Sequence, residues 1–277
     1  MAKFWSLVFL TVPIFGVGVF IYGALPSVNI QLPIDASEHG FNIDHLYYFI
    51  LWLTGIVFVI TEGVLAYFLW KYAAGHNAEP VKYTHGSHNL EIVWTILPAV
   101  TLLFIAIYQM NAWAESKMRV PSLYLANGER DPNVVELEIT ARQFEWRVRY
   151  PGKDGQLGTP DDLYTVNDIH LPLGKMALVQ LKSMDVLHGF FIPNMRIKQD
   201  AVPGMKIPVW FRPMRVGVYE IPCSQLCGWG HYKMKGQITV EPEEDYQRWL
   251  DQLAKDQFTT VPAAPVSTGA AKSAAEE

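Results

Sequence analysis

Cysteine is scarce in this chain: the 277 residues contain two, Cys223 and Cys227, four positions apart in the C-terminal quarter. A framework of several disulfides, which stabilises many small secreted domains, is therefore excluded. Charge is scarce too, because Asp, Glu, Lys and Arg make up 18% of the residues. With a net charge of -5 there is no basic surplus to neutralise phosphates, so nucleic acid is excluded as a partner.

Apolar side chains are plentiful, at 50% of the chain, and three long apolar runs fall early in the sequence. The runs cover residues 4–25, 46–70 and 90–110, and each reaches the ~20 residues that an α-helix needs to cross a ~30 Å hydrocarbon layer. They predict three transmembrane helices. The first run is longer than the ~7 to 15 apolar residues of a signal peptide. No Ala-x-Ala cleavage site follows it, so we expect an uncleaved span rather than a cleaved signal peptide.

Basic residues in the short loops predict the orientation, because Lys and Arg mark the cytoplasmic side of a membrane. Lys3 precedes the first run, and Lys71 and Lys82 lie between the second and the third, whereas residues 26–44 contain no Lys or Arg. Everything after the third run is then expected outside the cytoplasm. We predict a multi-pass protein of the inner (cell) membrane whose C-terminal part lies on the periplasmic or outer face.

The rest of the chain is predicted to form a β domain, a short helix and a tail. Residues 134–150 alternate apolar and polar side chains with the period of two of a half-buried strand. Further strands are expected at 177–182, 189–192, 207–212, 218–221 and 237–240, separated by Pro and Gly, which suggests a sandwich or barrel. The expected domains are 1–42, the first span and an outer loop; 43–115, a transmembrane helical hairpin; 116–245, the β domain; and 246–277, the end of a helix over 243–255 and a disordered tail.

One loop of the β domain concentrates side chains that bind soft metal ions. The stretch from Cys223 to Met234 contains both thiols, the His231 imidazole and the Met234 thioether. Thiolate and thioether ligands favour copper over magnesium or calcium, and a set of His, Cys and a weak Met is typical of blue copper sites. Because such sites use one Cys, the second suggests two coppers bridged by two thiolates, with His188 as a further ligand. A disulfide or redox pair and a structural zinc site are the alternatives.

Several blocks of the sequence resemble subunit II of haem-copper cytochrome c oxidases. They are Cys-Ser-x-x-Cys-Gly-x-x-His-x-x-Met over 223–234, Ser-Met-Asp-Val-Leu-His over 183–188, Lys-Gln-Asp-Ala-Val-Pro-Gly over 198–204, and Leu-Glu-Ile-Val-Trp-Thr-Ile-Leu-Pro-Ala over 90–99. The last block resembles the start of that family's second helix, so the resemblance covers residues 45–245. It implies N-terminal transmembrane helices followed by an all-β, cupredoxin-like Greek-key domain.

The resemblance implies a dinuclear copper centre, called CuA, and assigns its ligands. They would be His188, Cys223, Cys227, His231, Met234 and the backbone carbonyl of Gln225. Electrons would arrive from a separate cytochrome c, which Asp185 and the acidic residues of 154–168 are candidates to attract. They would leave to haem in subunit I, where oxygen is reduced to water with coupled proton translocation. The chain would then be the electron-accepting subunit of the enzyme cytochrome c oxidase, in contact with other oxidase subunits and membrane lipid.

Three positions refine what the resemblance implies. Most of the family has a Glu where this chain has Gln225, and that Glu side chain helps to bind magnesium at the subunit I interface. An amide is a weaker ligand for a hard cation than a carboxylate, so we expect copper without the magnesium. The family's Gln-Trp-x-Trp motif corresponds to residues 143–146 here, which makes Phe144 and Trp146 candidates for electron uptake, unless both simply pack the core. Glu91 matches the Glu at the mouth of a proton channel, unless it is only a helix-end charge at the membrane surface.

Other functions share parts of this pattern. A CuA module also occurs in nitrous oxide reductase, but that enzyme is soluble and has a second, His-rich copper site, whereas this chain has three apolar runs and 8 histidines. A membrane-anchored copper carrier needs an exposed, exchangeable site, whereas a ligand set completed by the distant His188 implies a closed one. The sequence has no Cys-x-x-Cys-His motif, so no covalent haem c is expected.

Overall fold

The structure is a computed structural model that describes residues 2–25, 27–28, 31–72, 83 and 85–259. Lys82 and the tail predicted to be disordered lie outside the described residues. The helices are α1 Ala2–Ala24, α2 Gly40–Lys71, α3 His88–Tyr108, α4 Met110–Lys117 and α5 Glu243–Thr259. The strands are β1 Val134–Arg142, β2 Glu145–Tyr150, β3 Leu163–Val166, β4 Asp168–Pro172, β5 Met176–Ser183, β6 His188–Ile192, β7 Ile197–Ala201, β8 Ile207–Phe211, β9 Gly217–Pro222 and β10 Lys235–Glu241.

Three helices are long and apolar enough to cross a membrane, as the apolar runs predict: Lys3–Ala24, Gly40–Lys71 and His88–Tyr108. Helices α1 and α2 pack antiparallel. The Ser6 hydroxyl donates to the Ala66 carbonyl at 2.7 Å, and Phe20 packs edge-on against Trp52 with ring centroids 5.7 Å apart. Most of the apolar side chains on the three helices face outward, which is the arrangement that a lipid environment favours.

The β domain is built from two main sheets around one apolar core. The larger sheet has the strand order β3-β2-β1-β5-β8 and the smaller has β4-β10-β9, while β6 and β7 pair as a hairpin. The pairs β1–β5 and β4–β10 are parallel, and the other pairs are antiparallel. This is a two-layer, cupredoxin-like domain, and the fold class predicted from the sequence is confirmed.

Strand β1 shows how the alternating pattern produces the core. Leu137 and Ile139 are fully buried between the layers. Glu136 and Glu138 lie on the opposite face, where they also have little exposure. Ion pairs compensate this burial, because Glu136 pairs with Arg130, and Glu138 pairs with both Arg149 and Lys182.

The structure corrects several predicted elements. Residues 134–150 form two antiparallel strands, β1 and β2, because the chain turns at Gln143–Phe144. The sequence did not indicate α4, β3, β4 or β7, and α5 continues to Thr259, beyond the predicted end at 255. The missed strands are only 4 or 5 residues long and carry polar side chains or Pro, so their periodicity is weak.

A segment that precedes α2, residues 33–39, is hydrogen-bonded to the β domain and is called the strap here. The Ala36 amide donates to the Asn194 carbonyl at 2.8 Å, and the Ala36 carbonyl accepts from the Met214 amide at 2.8 Å. Ala36 is 1% exposed and belongs to the core of the β domain. The strap therefore fixes the β domain against the outer end of α2.

Candidate metal centre

The loop between the antiparallel neighbours β9 and β10 carries both cysteines, and backbone hydrogen bonds close it. The Cys223 amide donates to the Met234 carbonyl at 3.0 Å, so the two ends of the loop are joined. The Ser224 amide donates to the Gly189 carbonyl at 2.9 Å, which attaches the loop to β6. A Cβ atom on Gly189 would clash with the Ser224 hydroxyl, so this close approach requires glycine.

His188 begins β6 and is brought beside the loop by that attachment. Its side chain is fully buried. The Nε2 atom lies 2.8 Å from Asp185 Oδ1, and the Nδ1 atom lies 3.2 Å from the Met234 sulfur. If Nε2 carries the proton donated to Asp185, the lone pair of Nδ1 faces the sulfur atoms, which is the arrangement of a metal-ligating histidine.

The six predicted ligands come together in this structure. The Cys223 and Cys227 sulfurs are 3.8 Å apart, and the Cys223 sulfur is 3.2 Å from the Gln225 carbonyl oxygen. The Cys227 sulfur lies 3.6 Å from His231 Nδ1 and 3.8 Å from the Met234 sulfur. The ligand atoms of His188, Cys223 and Cys227 all lie within 4.8 Å of one another, with His231 at the edge of this group.

The environment of the two thiols distinguishes them. Both are free and buried. Burial opposes ionisation, but the hydrogen bond with His188 and the backbone around Gln225 lower the pKa of Cys223 to about 6. Burial and the neighbouring Cys223 charge raise the pKa of Cys227 to about 12. One thiolate therefore forms readily, whereas the second needs a cation beside it.

Asp185 and Gln143 support the cluster, and sequence reasoning missed both roles. Burial opposes ionisation of Asp185, but hydrogen bonds from the His188 ring and from the backbone N–H of Gln143 hold the pKa of Asp185 below its ordinary value. The Gln143 side chain donates to the Cys227 carbonyl at 2.6 Å. The spacing of Asp185 and His188, three residues apart, was the available signal for the first contact, but nothing local indicated the second.

The donor set fits copper. Two thiols, two imidazoles and a thioether are soft or borderline ligands, and the two sulfurs face each other in a buried site without forming a disulfide. A structural zinc site would leave the thioether without a role. The fold and this cluster together define a membrane-anchored metalloprotein with a cupredoxin-like outer domain.

Comparisons with known proteins identify the family. The profile described as cytochrome c oxidase subunit II, periplasmic domain, matches residues 143–241, and the profile of the transmembrane domain of the same subunit matches residues 26–112. The alternative cytochrome c oxidase subunit 2 of Bradyrhizobium diazoefficiens is 32% identical over 241 residues, covering 78% of this chain and 82% of the relative. The cytochrome c oxidase subunit 2 of Cereibacter sphaeroides is 29% identical over 255 residues, covering 77% and 80%.

A solved structure, the periplasmic domain of cytochrome oxidase subunit II of Bradyrhizobium japonicum, is 26% identical, with a TM-score of 0.40 and coverage of 44% of this chain and 94% of that domain. The sequence matches show that this chain belongs to the cytochrome c oxidase subunit II family. It is a subunit of a haem-copper oxidase, as the resemblance implied.

The other predicted site residues lie in different surroundings. Trp146 is fully buried and packs edge-on near His188, with ring centroids 6.2 Å apart, so it cannot contact a donor directly. Phe144 is partly buried against the loop of residues 223–234, which is called the metal-binding loop here. Glu91 lies in the first turn of α3 with its side chain 55% exposed, 4.0 Å from His88. Gln225 is exposed to solvent.

Proposed function

We propose that this chain accepts electrons from cytochrome c at a dinuclear CuA centre and passes them to haem in subunit I. Oxygen would be reduced to water there, with coupled proton translocation. The observation that carries the proposal is the convergence of two free, buried thiols with two imidazoles, a thioether and a backbone carbonyl. Residues 116–245 form the copper domain in this proposal, and residues 1–42 and 43–115 anchor it in the membrane.

The contacts support two metal positions rather than one. His188 and Met234 touch at one side of the sulfur pair, while His231 lies beside Cys227 and the Gln225 carbonyl lies beside Cys223. The two thiolates, 3.8 Å apart, would hold two metal ions together with the His188 and His231 imidazoles, the Met234 thioether and the Gln225 carbonyl. Bound copper would supply one-electron redox chemistry in this site.

The protein's own contribution is to fix the ligands and exclude water. Cys223, Cys227, Met234 and His188 are all buried, so little solvent has to reorganise when the charge of the centre changes. Asp185 holds the His188 ring in one orientation, and the Gln143 side chain holds the Cys227 backbone. A rigid, dry site of this kind suits rapid electron transfer rather than bond-making chemistry.

Two further roles are part of the proposal. Glu91 would take up protons at the cytoplasmic end of α3, where an acidic side chain in the first turn also interacts favourably with the helix dipole. Copper would be bound without the interface magnesium, because the exposed side chain at position 225 is an amide.

Electron paramagnetic resonance of the purified oxidase, with copper quantified per chain, tests the proposal. We expect two coppers in this subunit and a mixed-valence signal that Cys227→Ser abolishes, because serine cannot replace a bridging thiolate. Ser224→Ala is a matched control, since the Ser224 hydroxyl is buried and has no hydrogen-bond partner among the described residues. A mononuclear signal in the wild type, or an unchanged signal in Cys227→Ser, would contradict the bridged pair.

A further inference from the structure

The metal-binding loop exposes large apolar side chains at three regularly spaced positions. Leu226 is 75% exposed, Trp229 is 77% exposed and Tyr232 is 83% exposed. Tryptophan is usually well buried in a folded protein, so an indole that is this exposed is a candidate for contact with a partner. On the same loop the ligands Cys223, Cys227 and Met234 are buried, so these large side chains alternate with groups that point inward.

Trp229 differs from the other two because its ring packs against Phe144, which is partly buried beneath the loop. Its ring lies edge-on to Phe144, with centroids 5.3 Å apart. Phe144 is in turn covered by the backbone of the loop: a Cβ atom on Gly230 would meet the Phe144 ring at 2.5 Å. The indole therefore lies between solvent and the partly buried Phe144, which is less accessible to a docking partner.

Two more features place Trp229 close to the metal ligands and restrict its orientation. Trp229 is separated from His231 by Gly230 alone, so the covalent path from the indole to the imidazole is short. The Lys233 ammonium lies over the indole ring, 4.6 Å from its centroid, and such a cation–π contact favours one orientation of the ring.

We propose that Trp229 is the side chain on which the electron donor docks, and that Phe144 is the layer beneath it. This inference rests on the proposed function. The partner is a small haem protein whose haem edge reaches its surface, because a flat π edge can pack on an exposed indole. In the transfer the donor's haem iron passes from Fe(II) to Fe(III), and the metal held by the site gains that one electron. No bond is made or broken and no proton moves.

The test uses the intact oxidase with Trp229→Ala and Trp229→Phe, and with Tyr232→Ala as the matched control. Tyr232 is similarly exposed on the same loop, but among the described residues its ring forms no aromatic pair with Phe144, whereas the Trp229 ring does. Binding is measured with cytochrome c whose haem iron is replaced by zinc, which reports docking without electron transfer. Reduction of the copper is then timed with reduced cytochrome c below saturation and, separately, with hexaammineruthenium(II), a small reductant that needs no protein docking surface.

We expect Trp229→Ala to weaken zinc-cytochrome c binding and to slow reduction by cytochrome c, each by at least about tenfold, as truncation of an aromatic anchor does at other interfaces. Trp229→Phe should lose about threefold and Tyr232→Ala no more than about twofold, with reduction by hexaammineruthenium(II) unchanged in all three. Equal losses in Trp229→Ala and Tyr232→Ala, or no loss in Trp229→Ala, would overturn the proposal.

The same experiment separates this proposal from the proposed function. A wild-type oxidase without a mixed-valence copper signal refutes the dinuclear centre, whereas binding of zinc-cytochrome c still decides whether Trp229 is the docking residue. If Trp229→Ala loses copper, Trp229→Phe decides instead, because it keeps a ring against Phe144. Trp229→Phe with an intact copper signal and unaltered binding and reduction rates then counts against the proposal.

Discussion

Asp185 illustrates how a single side chain adjusts this site. Its carboxylate accepts from His188 Nε2 at 2.8 Å and from the Gln143 amide at 2.8 Å, so it joins the ligand histidine to the residue that supports Cys227. A carboxylate behind a histidine orients the ring and makes the facing nitrogen a stronger donor to a metal. Asp185 is then an orienting residue, in addition to any long-range attraction of a cationic donor.

Asp185→Asn should weaken copper binding by about 10- to 100-fold, because the amide carries no charge and cannot accept both hydrogen bonds as well. Copper affinity is measured by competition with a chelator, and the reduction potential of the centre is recorded alongside. Asp154→Asn is the control, since Asp154 is an exposed acidic residue in the β2–β3 loop. Equal affinities for Asp185→Asn and the wild type would remove the orienting role.

At the residue level, the sequence predicted those candidate metal ligands that lie within a single loop. Cys223, Cys227, His231 and Met234 are close in sequence and chemically distinctive, so their residue types and spacing alone indicated a metal site. His188 was a candidate from the residues only because two coppers require a second imidazole, and the family resemblance then assigned it as a ligand. A lone histidine 35 positions before Cys223 carries no local signal of its own. The support from Gln143 could not be predicted, since it depends on a hydrogen bond between residues 84 positions apart.

Among the elements, the turn between β6 and β7 is tied to α2 by one arginine. Arg196 has a positive φ of 56° and a side chain that is 7% exposed. Its guanidinium donates to both carboxylate oxygens of Asp44, at 2.6 and 2.8 Å, and to the carbonyls of Pro33 and Pro193. Bidentate pairing of this kind fixes orientation as well as position. The Arg196–Asp44 pair therefore fixes the orientation of the β domain relative to α2.

Arg196→Met keeps the length of the side chain but leaves the Asp44 carboxylate without this partner. Breaking a buried pair costs ~3 to 5 kcal/mol, and we expect ~2 kcal/mol here because the Asp44 side chain is 21% exposed. Hydrogen exchange of the amides in residues 34–44 should then be about 30-fold faster in the full chain. Arg215→Met, at an exposed position, is the control, and unchanged exchange in Arg196→Met would show that the pair does not hold the strap.

On the scale of the whole molecule, a bound metal would join parts of the chain that are distant in sequence. His188 begins β6, whereas the remaining ligands lie between β9 and β10. The protein links these parts by only a few backbone contacts, such as the Phe190–Cys223 bridge and the hydrogen bond from Ser224 to Gly189. Metal binding to the folded state should therefore stabilise the entire β domain.

Removal of copper by a chelator should lower the unfolding temperature of the β domain by ~10 °C. A ligand present at ~100 times its dissociation constant contributes ~2.7 kcal/mol, and each kcal/mol corresponds to ~3 to 5 °C in a domain of this size. Fluorescence-detected unfolding of the purified chain measures the shift. Cys227→Ser should show a much smaller chelator-dependent shift, and identical temperatures for wild type with and without chelator would mean that the site does not stabilise the fold.

Much of the architecture was predictable, for reasons that differ between its two parts. The three spans follow from the length of the apolar runs alone, and the structure has them at nearly the predicted bounds. In the β domain, long alternating strands such as β1 and β5 were found, whereas the short strands β3, β4 and β7 are defined by their partners rather than by their own sequence. The strap could not be predicted, because its hydrogen bonds join a residue that precedes α2 in the sequence to residues that follow α3.

The strap also dictates an order of events during synthesis. Ala36 leaves the ribosome well before Asn194 and Met214, its hydrogen-bond partners, and both α2 and α3 are made in between. The outer domain therefore cannot complete its core until those two helices have crossed the membrane and returned the chain to the same side. Folding of the β domain is then completed only after α2 and α3 have inserted into the membrane. A mutation that prevents insertion of α2 or α3 would therefore leave the β domain without the strap in its core.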